Sequence, residues 1–227
     1  MRIHRHINFF KVAEHFQELL HDSGVRIKND GFPDLTDFDY PKSIPHDVEM
    51  WPYSKRNQAQ KPRNTIINFF EADPILYADL NTIDKVICNL ALYRYATGFD
   101  ISPCLNFNIE AQQAALVINA LTNGIMLSRG IAVIPTLRTG SIETTSYLNC
   151  YPKHICYAFG ALGCNQRYTS YGQLLTATKL ALCEPTQVIS YGKMSAGDRE
   201  LFYSWGVPVL DIPDYQTRCR KKAAERK

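Results

Sequence analysis

The chain has 227 residues, of which 45% are apolar and 21% are charged, a balance typical of a folded globular protein. The formal net charge of +3 is small and does not by itself require an anionic partner. No uncharged stretch reaches the roughly 20 residues that a membrane helix needs, and the opening stretch turns charged again at Lys11, unlike a signal peptide. We therefore expect a cytoplasmic protein without a membrane partner.

The seven cysteines are scattered along the chain and form no C-x-x-C pair. Metal ligands usually come in such close pairs, and disulfide scaffolds are shorter and denser in cysteine. The pattern therefore predicts reduced thiols, as in cytosolic proteins.

Residues 1–63 are predicted to form a helix and an irregular extension. Apolar residues within 5–23 recur on one stripe, as in an amphipathic helix. Residues 29–63 are rich in proline and show little periodicity, which predicts a segment that wraps the domain, with a flexible arm as the alternative. The predicted anchors of this segment are three aromatic residues, Phe32, Trp51 and Tyr53.

Residues 64–215 are predicted to form an α/β domain, because short apolar runs alternate with longer helical stretches. The runs are apolar at consecutive positions, as in parallel strands that are covered on both faces. The predicted strands are 64–70, 96–102, 131–138, 154–160, 186–192 and 207–213. The predicted helices lie between them, at 74–92, 108–129, 141–150, 168–183 and 195–205. Six β/α units in series indicate one mostly parallel sheet with right-handed crossovers.

Such a sheet closes in one of two ways: as a partial or distorted β/α barrel, or as an open doubly wound sheet. The short and regular units favour the barrel. No G-x-G-x-x-G follows any predicted strand, which disfavours a dinucleotide-binding Rossmann domain.

Residues 216–227 form a basic C-terminal tail. Such a charge run is typical of a solvated or disordered end, and contact with nucleic acid is the alternative. The side chains that would make this contact are Arg218, Arg220, Lys221 and Lys222.

Polar residues recur where the predicted strands end. Glu71 and Asp73 follow the first strand, Asp100 and Ser102 close the second, and Arg138 closes the third. In barrels and in open α/β sheets alike, ligands bind beyond the carboxyl ends of the parallel strands. The pattern therefore predicts one polar site at this edge of the sheet.

Two interpretations of these residues stay open. Asp100 and Arg138 form a structural ion pair, or they flank an anionic ligand that Arg138 and Ser102 bind. In the second case Asp100, Glu71 and Asp73 are the candidate catalytic carboxylates, acting as bases. Glu71 and Asp100 are also the candidate ligands of a divalent metal, the one cofactor that the sequence leaves open.

Two further strand ends carry candidate binding residues. The fourth strand leads into "FGALGCNQRYTS", where Gly163 permits close backbone approach and the start of the next helix offers N–H groups to an anion. Cys164 lies in the same loop and is a candidate ligand-binding residue, either as a nucleophile near the start of the next helix or as an inert loop thiol. No G-K-[ST] follows, so this is not a Walker motif. Tyr191 stands at the end of the fifth strand.

These motifs together resemble a family of uncharacterised bacterial, phage and prophage proteins, the domain of unknown function 4417. The resemblance covers about residues 64–213 and is carried by six blocks in order: "NFFEADP", "FDIS", "GIAVIPTLRTG", "YPKHICYAFGALGC", "VISYGKM" and "GVPVLDIP". Two departures stand out. Members tend to have P-D-F-S where this chain has F-D-I-S, and Leu162 replaces a residue that is often polar.

The resemblance implies a mobile-element origin and typical family positions, which correspond here to Glu71, Asp73, Asp100, Ser102, Arg138, Tyr191 and Gly192. It implies no reaction, because the family has no established activity. Together with the strand-end pattern, it leads to one functional expectation: a protein that acts on or binds a phosphate-bearing small molecule or nucleic acid. The alternative is a non-catalytic protein that binds a host protein factor.

Overall fold

The computed structural model of the protein describes residues 7–160 and 170–224, which form an α/β fold. The helices are α1 (Phe9–Asp22), α2 (Asp73–Leu80), α3 (Ile83–Leu90), α4 (Ile109–Ser128), α5 (Ser170–Cys183), α6 (Ala196–Ser204) and α7 (Tyr215–Ala224). Three 3₁₀ helices lie at Tyr53–Gln58, Pro62–Asn64 and Ile142–Cys150. The strands are β1 (Glu49–Pro52), β2 (Thr65–Asn68), β3 (Tyr95–Thr97), β4 (Val133–Ile134), β5 (Cys156–Gly160), β6 (Gln187–Tyr191) and β7 (Val209–Ile212).

The strands follow one another in sequential, parallel order, as they do in a β/α barrel. β1 to β4 form one parallel sheet and β5 to β7 form a second. A parallel bridge between Thr136 and Ala158 joins the two sheets just beyond β4. The main-chain N–H of Leu137 donates to the carbonyl of Ala158 at 2.9 Å across this junction. Among the described residues β7 does not pair with β1, so the barrel is partial, and the predicted α/β class is confirmed. The single sheet that was expected is divided into two sheets, which the isolated Thr136–Ala158 bridge connects.

One strand of the barrel was not predicted. β1 lies within residues 29–63, which the sequence assigns to an irregular wrap, and it pairs with β2 over its whole length. The sequence does not indicate this strand, because the segment around it is rich in proline and the strand itself ends at Pro52. Its hydrogen bonds come from the neighbouring strand, which local sequence does not reveal. The expected role of the aromatic anchors is nevertheless observed, since Phe32, Trp51 and Tyr53 are buried in the core.

The barrel separates two hydrophobic clusters. Strand residues such as Ile67, Val133 and Val188 face outward into the larger cluster, where the strands pack against the helices. Side chains of alternate strand positions fill the interior and include Met50, Ile66, Ile134, Cys156, Ala158, Ile189, Tyr191, Leu210 and Ile212. The interior is therefore a packed core and not a pore, with its open end at the carboxyl edge of the strands.

Helix α7 follows β7 in the chain and packs against β1, the first strand of the partial barrel. Arg218 donates a hydrogen bond to the carbonyl of Met50, and its guanidinium lies 4.3 Å from the centre of the Trp51 ring. The main-chain N–H of Tyr215 donates to the Tyr191 hydroxyl at 3.0 Å. Part of the predicted solvated tail is therefore a helix that packs on the barrel.

Residues that precede the strands share the same core. α1 buries Phe16 and Leu20, which belong to the larger cluster together with residues of α4. α4 is the longest helix, with 20 residues. None of the helices in the described ranges combines the length and apolar character needed to cross a membrane.

Candidate functional site

The loop after β3 carries Asp100 into the molecule, where two amides of α4 hold its backbone. The side-chain oxygen of Asn123 accepts a hydrogen bond from the N–H of Phe99 at 2.7 Å. Asn119 accepts one from the N–H of Ile101 at 2.9 Å and donates to the Ile101 carbonyl at 2.9 Å. Because buried side chains fix the backbone on both sides of Asp100, its carboxylate has one defined position.

The guanidinium of Arg138 contacts this carboxylate through the edge that carries Nε and Nη2. Its Nε lies 3.0 Å from Oδ1 of Asp100, and its Nη2 lies 2.7 Å from Oδ2. The Asp100 side chain is 1% exposed, whereas 22% of the Arg138 side chain is exposed. Two parallel contacts fix the plane of a guanidinium. Arg138 is therefore held in one orientation at the carboxyl edge of the sheet.

Other charges surround this ion pair. Burial has the largest effect on the Asp100 carboxyl and raises its pKa, while Arg138 opposes this shift. The carboxylate of Asp73 raises the Asp100 pKa further, and the ammonium of Lys179 lowers it. Lys179 belongs to α5 and is 9% exposed. Two cations and two carboxylates thus lie within electrostatic range of one another.

Asp73 and Ser102 meet beside this group. Oδ1 of Asp73, at the start of α2, accepts hydrogen bonds from the Ser102 main-chain N–H at 3.2 Å and from its hydroxyl at 3.1 Å. The structure therefore brings together four of the predicted site residues, namely Asp73, Asp100, Ser102 and Arg138.

Glu71 faces a different part of the surface. Its Oε2 accepts a hydrogen bond from the main-chain N–H of Ser54 at 3.1 Å. Burial raises the pKa of Asp79 to about 6; the charge of Glu71 adds to this increase, and Arg56 opposes it. In the described part of the chain, no group of three or more His, Cys, Asp or Glu residues is arranged to hold a metal ion. Glu71 and Asp100 therefore do not share such a group there.

The remaining predicted residues lie in two places. Gly163 and Cys164 fall outside the described residues. Tyr191 is buried in the barrel interior, and its hydroxyl oxygen accepts the hydrogen bond from Tyr215 described above. Burial has the largest effect on the Tyr191 phenol and raises its pKa.

Three polar side chains near the site were not predicted as ligand contacts. Nδ2 of Asn68 and Oγ1 of both Thr136 and Thr139 are buried and have no hydrogen-bond partner among the described residues. A sequence signal for the first exists, because "TIIN" ends a buried apolar run on an amide. The missing partners were not predictable, because they depend on which face of the strand each side chain occupies.

Comparison of the chain with family models, with curated proteins and with solved structures finds no match. The resemblance to the family named above therefore stays a prediction, and the site is interpreted from its own geometry.

Proposed function

We propose that this chain binds a phosphate-bearing ligand, a small molecule or a nucleic acid, at the carboxyl edge of its strands. Arg138 is the cation that contacts the phosphate. The resemblance described above supports a mobile-element origin, and the composition supports a cytoplasmic location.

The observation that carries the proposal is the anchored and partly exposed guanidinium of Arg138. An arginine that is free to rotate loses side-chain entropy when it binds an anion, whereas one that is already fixed loses less. Its planar fork of N–H donors also matches the oxygens of a phosphate. Asp100 provides the fixation, because it engages two of the guanidinium nitrogens from a buried position.

The surroundings of Arg138 add a donor and a charge. The next residue, Thr139, carries a buried hydroxyl that has no partner in the described part of the chain and can donate to a ligand oxygen. Lys179 contributes positive charge close enough to act on Asp100. These cations offset the two nearby carboxylates, so an incoming anion does not meet a net negative site.

Asp73 is the candidate base if the chain also acts on its ligand. Both carboxylate oxygens of Asp100 are held by Arg138, which leaves Asp100 as a residue that positions the cation. Asp73 lies nearer the surface, and Ser102 orients one of its oxygens. A base needs an accessible lone pair within reach of the ligand, which favours Asp73 over Asp100.

Isothermal titration calorimetry with inorganic phosphate, ribose 5-phosphate and a 5′-phosphorylated oligonucleotide tests this function. We expect binding to the unaltered protein and loss of binding for Arg138→Ala. Arg138→Lys keeps the charge but loses the planar fork, so its affinity should fall about tenfold. Arg199→Ala is the matched control, because Arg199 also pairs with an aspartate, Asp211, at 2.8 Å, but on the exposed surface.

Two results would contradict the proposal: no binding of any of these probes to the unaltered protein, or binding that Arg138→Ala leaves intact. If the first occurs and Arg138→Ala only lowers stability, the pair with Asp100 is a structural bridge. The alternative function, a non-catalytic protein that binds a host factor, then takes precedence.

A further inference from the structure

The interior of the barrel ends in a polar layer at its carboxyl edge. Interior side chains of β/α barrels form layers drawn from alternate strands, because the strands tilt relative to the barrel axis. A layer takes one residue from every second strand. Each such residue lies about two positions further toward the carboxyl end than the residue that is in register with the previous member of the layer. Starting from Asn68 on β2, this displacement leads to Thr136 beyond β4 and to Tyr191 on β6.

The pairing of the strands supports the inward direction of these side chains. Thr136 pairs with Ala158, which lies in the interior cluster. Asn68 lies two residues after Ile66, a member of the same cluster, and the side chains of a strand alternate between its two faces. The layers below consist mainly of apolar side chains, so the polar character is concentrated at the open end.

Two members of this layer have polar atoms without a partner. Asn68 is 0% exposed and Thr136 is 1% exposed. Nδ2 of Asn68 and Oγ1 of Thr136 form no hydrogen bond within the described part of the chain. An unpaired buried donor destabilises the folded state, and native proteins keep few of them. Two such donors in one layer are groups that a polar bound molecule, a ligand or water, can pair with.

The third member, Tyr191, has a hydroxyl proton to donate. Its oxygen accepts from the N–H of Tyr215, so this contact does not use the proton. Burial has the largest effect on Tyr191 and raises its pKa, while hydrogen bonding from the Tyr215 main chain and from the Asn68 side chain opposes that shift. The amide and the hydroxyl are therefore neighbours, although Nδ2 of Asn68 has no hydrogen bond of good geometry.

The layer lies at a defined distance below Arg138. Arg138 follows Thr136 by two residues, and Leu137 between them packs outward into the larger cluster. Two residues of extended chain span about 7 Å. A ligand whose phosphate contacts Arg138 can thus reach the layer with one sugar unit.

We propose that Asn68, Thr136 and Tyr191 bind the sugar of a sugar phosphate whose phosphate contacts Arg138. This assignment rests on the proposed function and names its ligand class. The three side chains are uncharged donors, which suits the hydroxyl and ring oxygens of a sugar and provides no counter-ion for a second charged group. The small side chain of Ala158, from the intervening strand β5, leaves Thr136 without a bulky neighbour on that side.

The experiment compares the affinity for ribose 5-phosphate with that for inorganic phosphate by isothermal titration calorimetry. We expect ribose 5-phosphate to bind more tightly. Thr136→Val and Asn68→Leu should each weaken ribose 5-phosphate about tenfold and leave inorganic phosphate unchanged, because each removes one hydrogen bond to the sugar. Asn68→Leu also removes the hydrogen bond that Oδ1 of Asn68 accepts from the Phe70 N–H at 3.2 Å, so Thr136→Val is the cleaner of the two variants. Thr136→Ser restores a hydroxyl and should restore the affinity for ribose 5-phosphate.

A matched control separates binding from folding. Thr97, on the neighbouring strand β3, is also 0% exposed, but its Oγ1 accepts a hydrogen bond from the N–H of Phe69 at 3.1 Å. Thr97→Val should lower the melting temperature and leave both affinities unchanged. Thr136→Val should leave the melting temperature unchanged or raise it, because a methyl group of the same shape replaces an unpaired hydroxyl.

The following results would overturn the assignment of the sugar site. If ribose 5-phosphate binds no more tightly than inorganic phosphate, or if the two layer variants leave its affinity unchanged, the layer holds water only and the proposed function stands without it. If inorganic phosphate and ribose 5-phosphate both fail to bind the unaltered protein, the proposed function fails and the sugar assignment fails with it.

Discussion

At the level of single residues, the ion pair between Asp100 and Arg138 contributes both to the stability of the fold and to the proposed binding of a phosphate. Asp100 is too deeply buried to be solvated if its partner is removed, whereas Arg138 reaches the surface. Breaking a buried ion pair from one side leaves an uncompensated charge or an unpaired polar group. The pair therefore supports the fold at the same place where it presents a cation.

Asp100→Asn should lower the free energy of unfolding by about 3 kcal/mol, because it leaves Arg138 without its buried counter-ion. Asp211→Asn is the matched control: Asp211 and its partner Arg199 are each 47% exposed, and exposed pairs contribute less than about 1 kcal/mol. Urea denaturation of both variants measures the difference. Equal effects of the two substitutions would contradict the structural role of the buried pair.

Asp79 is predicted to make stability depend on pH. Its pKa rises from the ordinary 3.8 to about 6, mainly through burial and further through the charge of Glu71. Between these two values the folded state binds more protons than the unfolded state, so the free energy of unfolding falls as the pH rises toward 6 and is level above it. Because the side chain is partly exposed, solvent screening reduces the effect to about 1 kcal/mol.

Asp79→Asn should remove this fall and stabilise the protein above pH 6. Asp84→Asn is the control, because Asp84 is an exposed residue of the next helix, α3. The measurement is the free energy of unfolding in urea at intervals from pH 4 to pH 8. A fall of the same size in Asp79→Asn and in the unaltered protein would show that another group is responsible.

At the level of secondary structure, α7 covers the edge of β1 that another strand would cover in a closed barrel. Among the described residues β1 pairs with β2 alone, so its other edge has no neighbouring strand, and unpaired strand edges promote aggregation. Arg218 satisfies one of these groups, the Met50 carbonyl, while its guanidinium and the Tyr215 ring both pack on Trp51. The helix therefore covers this edge through side chains.

Arg218→Ala should lower the free energy of unfolding by about 1 to 2 kcal/mol, because it removes a cation–π contact and a hydrogen bond to the main chain. Arg220→Ala is the matched control, since Arg220 is exposed on the same helix and should change stability by less than about 0.5 kcal/mol. Both variants lose one positive charge, so any electrostatic effect on nucleic-acid affinity should be similar in the two. Thermal unfolding followed by circular dichroism checks the stability difference, and equal melting temperatures would refute the covering role of α7.

The secondary structure could be predicted from the sequence wherever a local pattern was strong. The long apolar run of α4 and its N-cap, Asn108, placed this helix within one residue of its observed bounds. The predicted helix 74–92 is two helices, α2 and α3, because the chain turns at Asn81 and Thr82. β1 was missed because four residues ending in proline carry too little local signal, and its pairing with β2 is a long-range contact.

At the level of the whole molecule, residues before and after the predicted α/β domain share its core. Phe16 in α1 and Trp51 in β1 lie in the same cluster as Tyr157 in β5 and Val188 in β6. Segments that differ in composition therefore pack against the same outer face of the barrel. The carboxyl edge is where this packing ends, and the candidate site lies there because loop residues can be polar without losing core contacts.

The α/β class, the parallel direction of the predicted strands and the edge at which polar residues collect could be predicted from the sequence alone. These follow from apolar runs, helical periodicity and the positions of Asp100 and Arg138, all of which are local or nearly local. The fold determines which of these residues meet: Arg138 contacts Asp100, Asp73 contacts Ser102, and Glu71 contacts the main chain of Ser54 instead. It also decided that Asn68 and Thr136 point into the barrel without partners. The physical reason is that strand register and barrel tilt depend on contacts between residues far apart in the chain, so a slip of one position would turn each of these side chains to the opposite face.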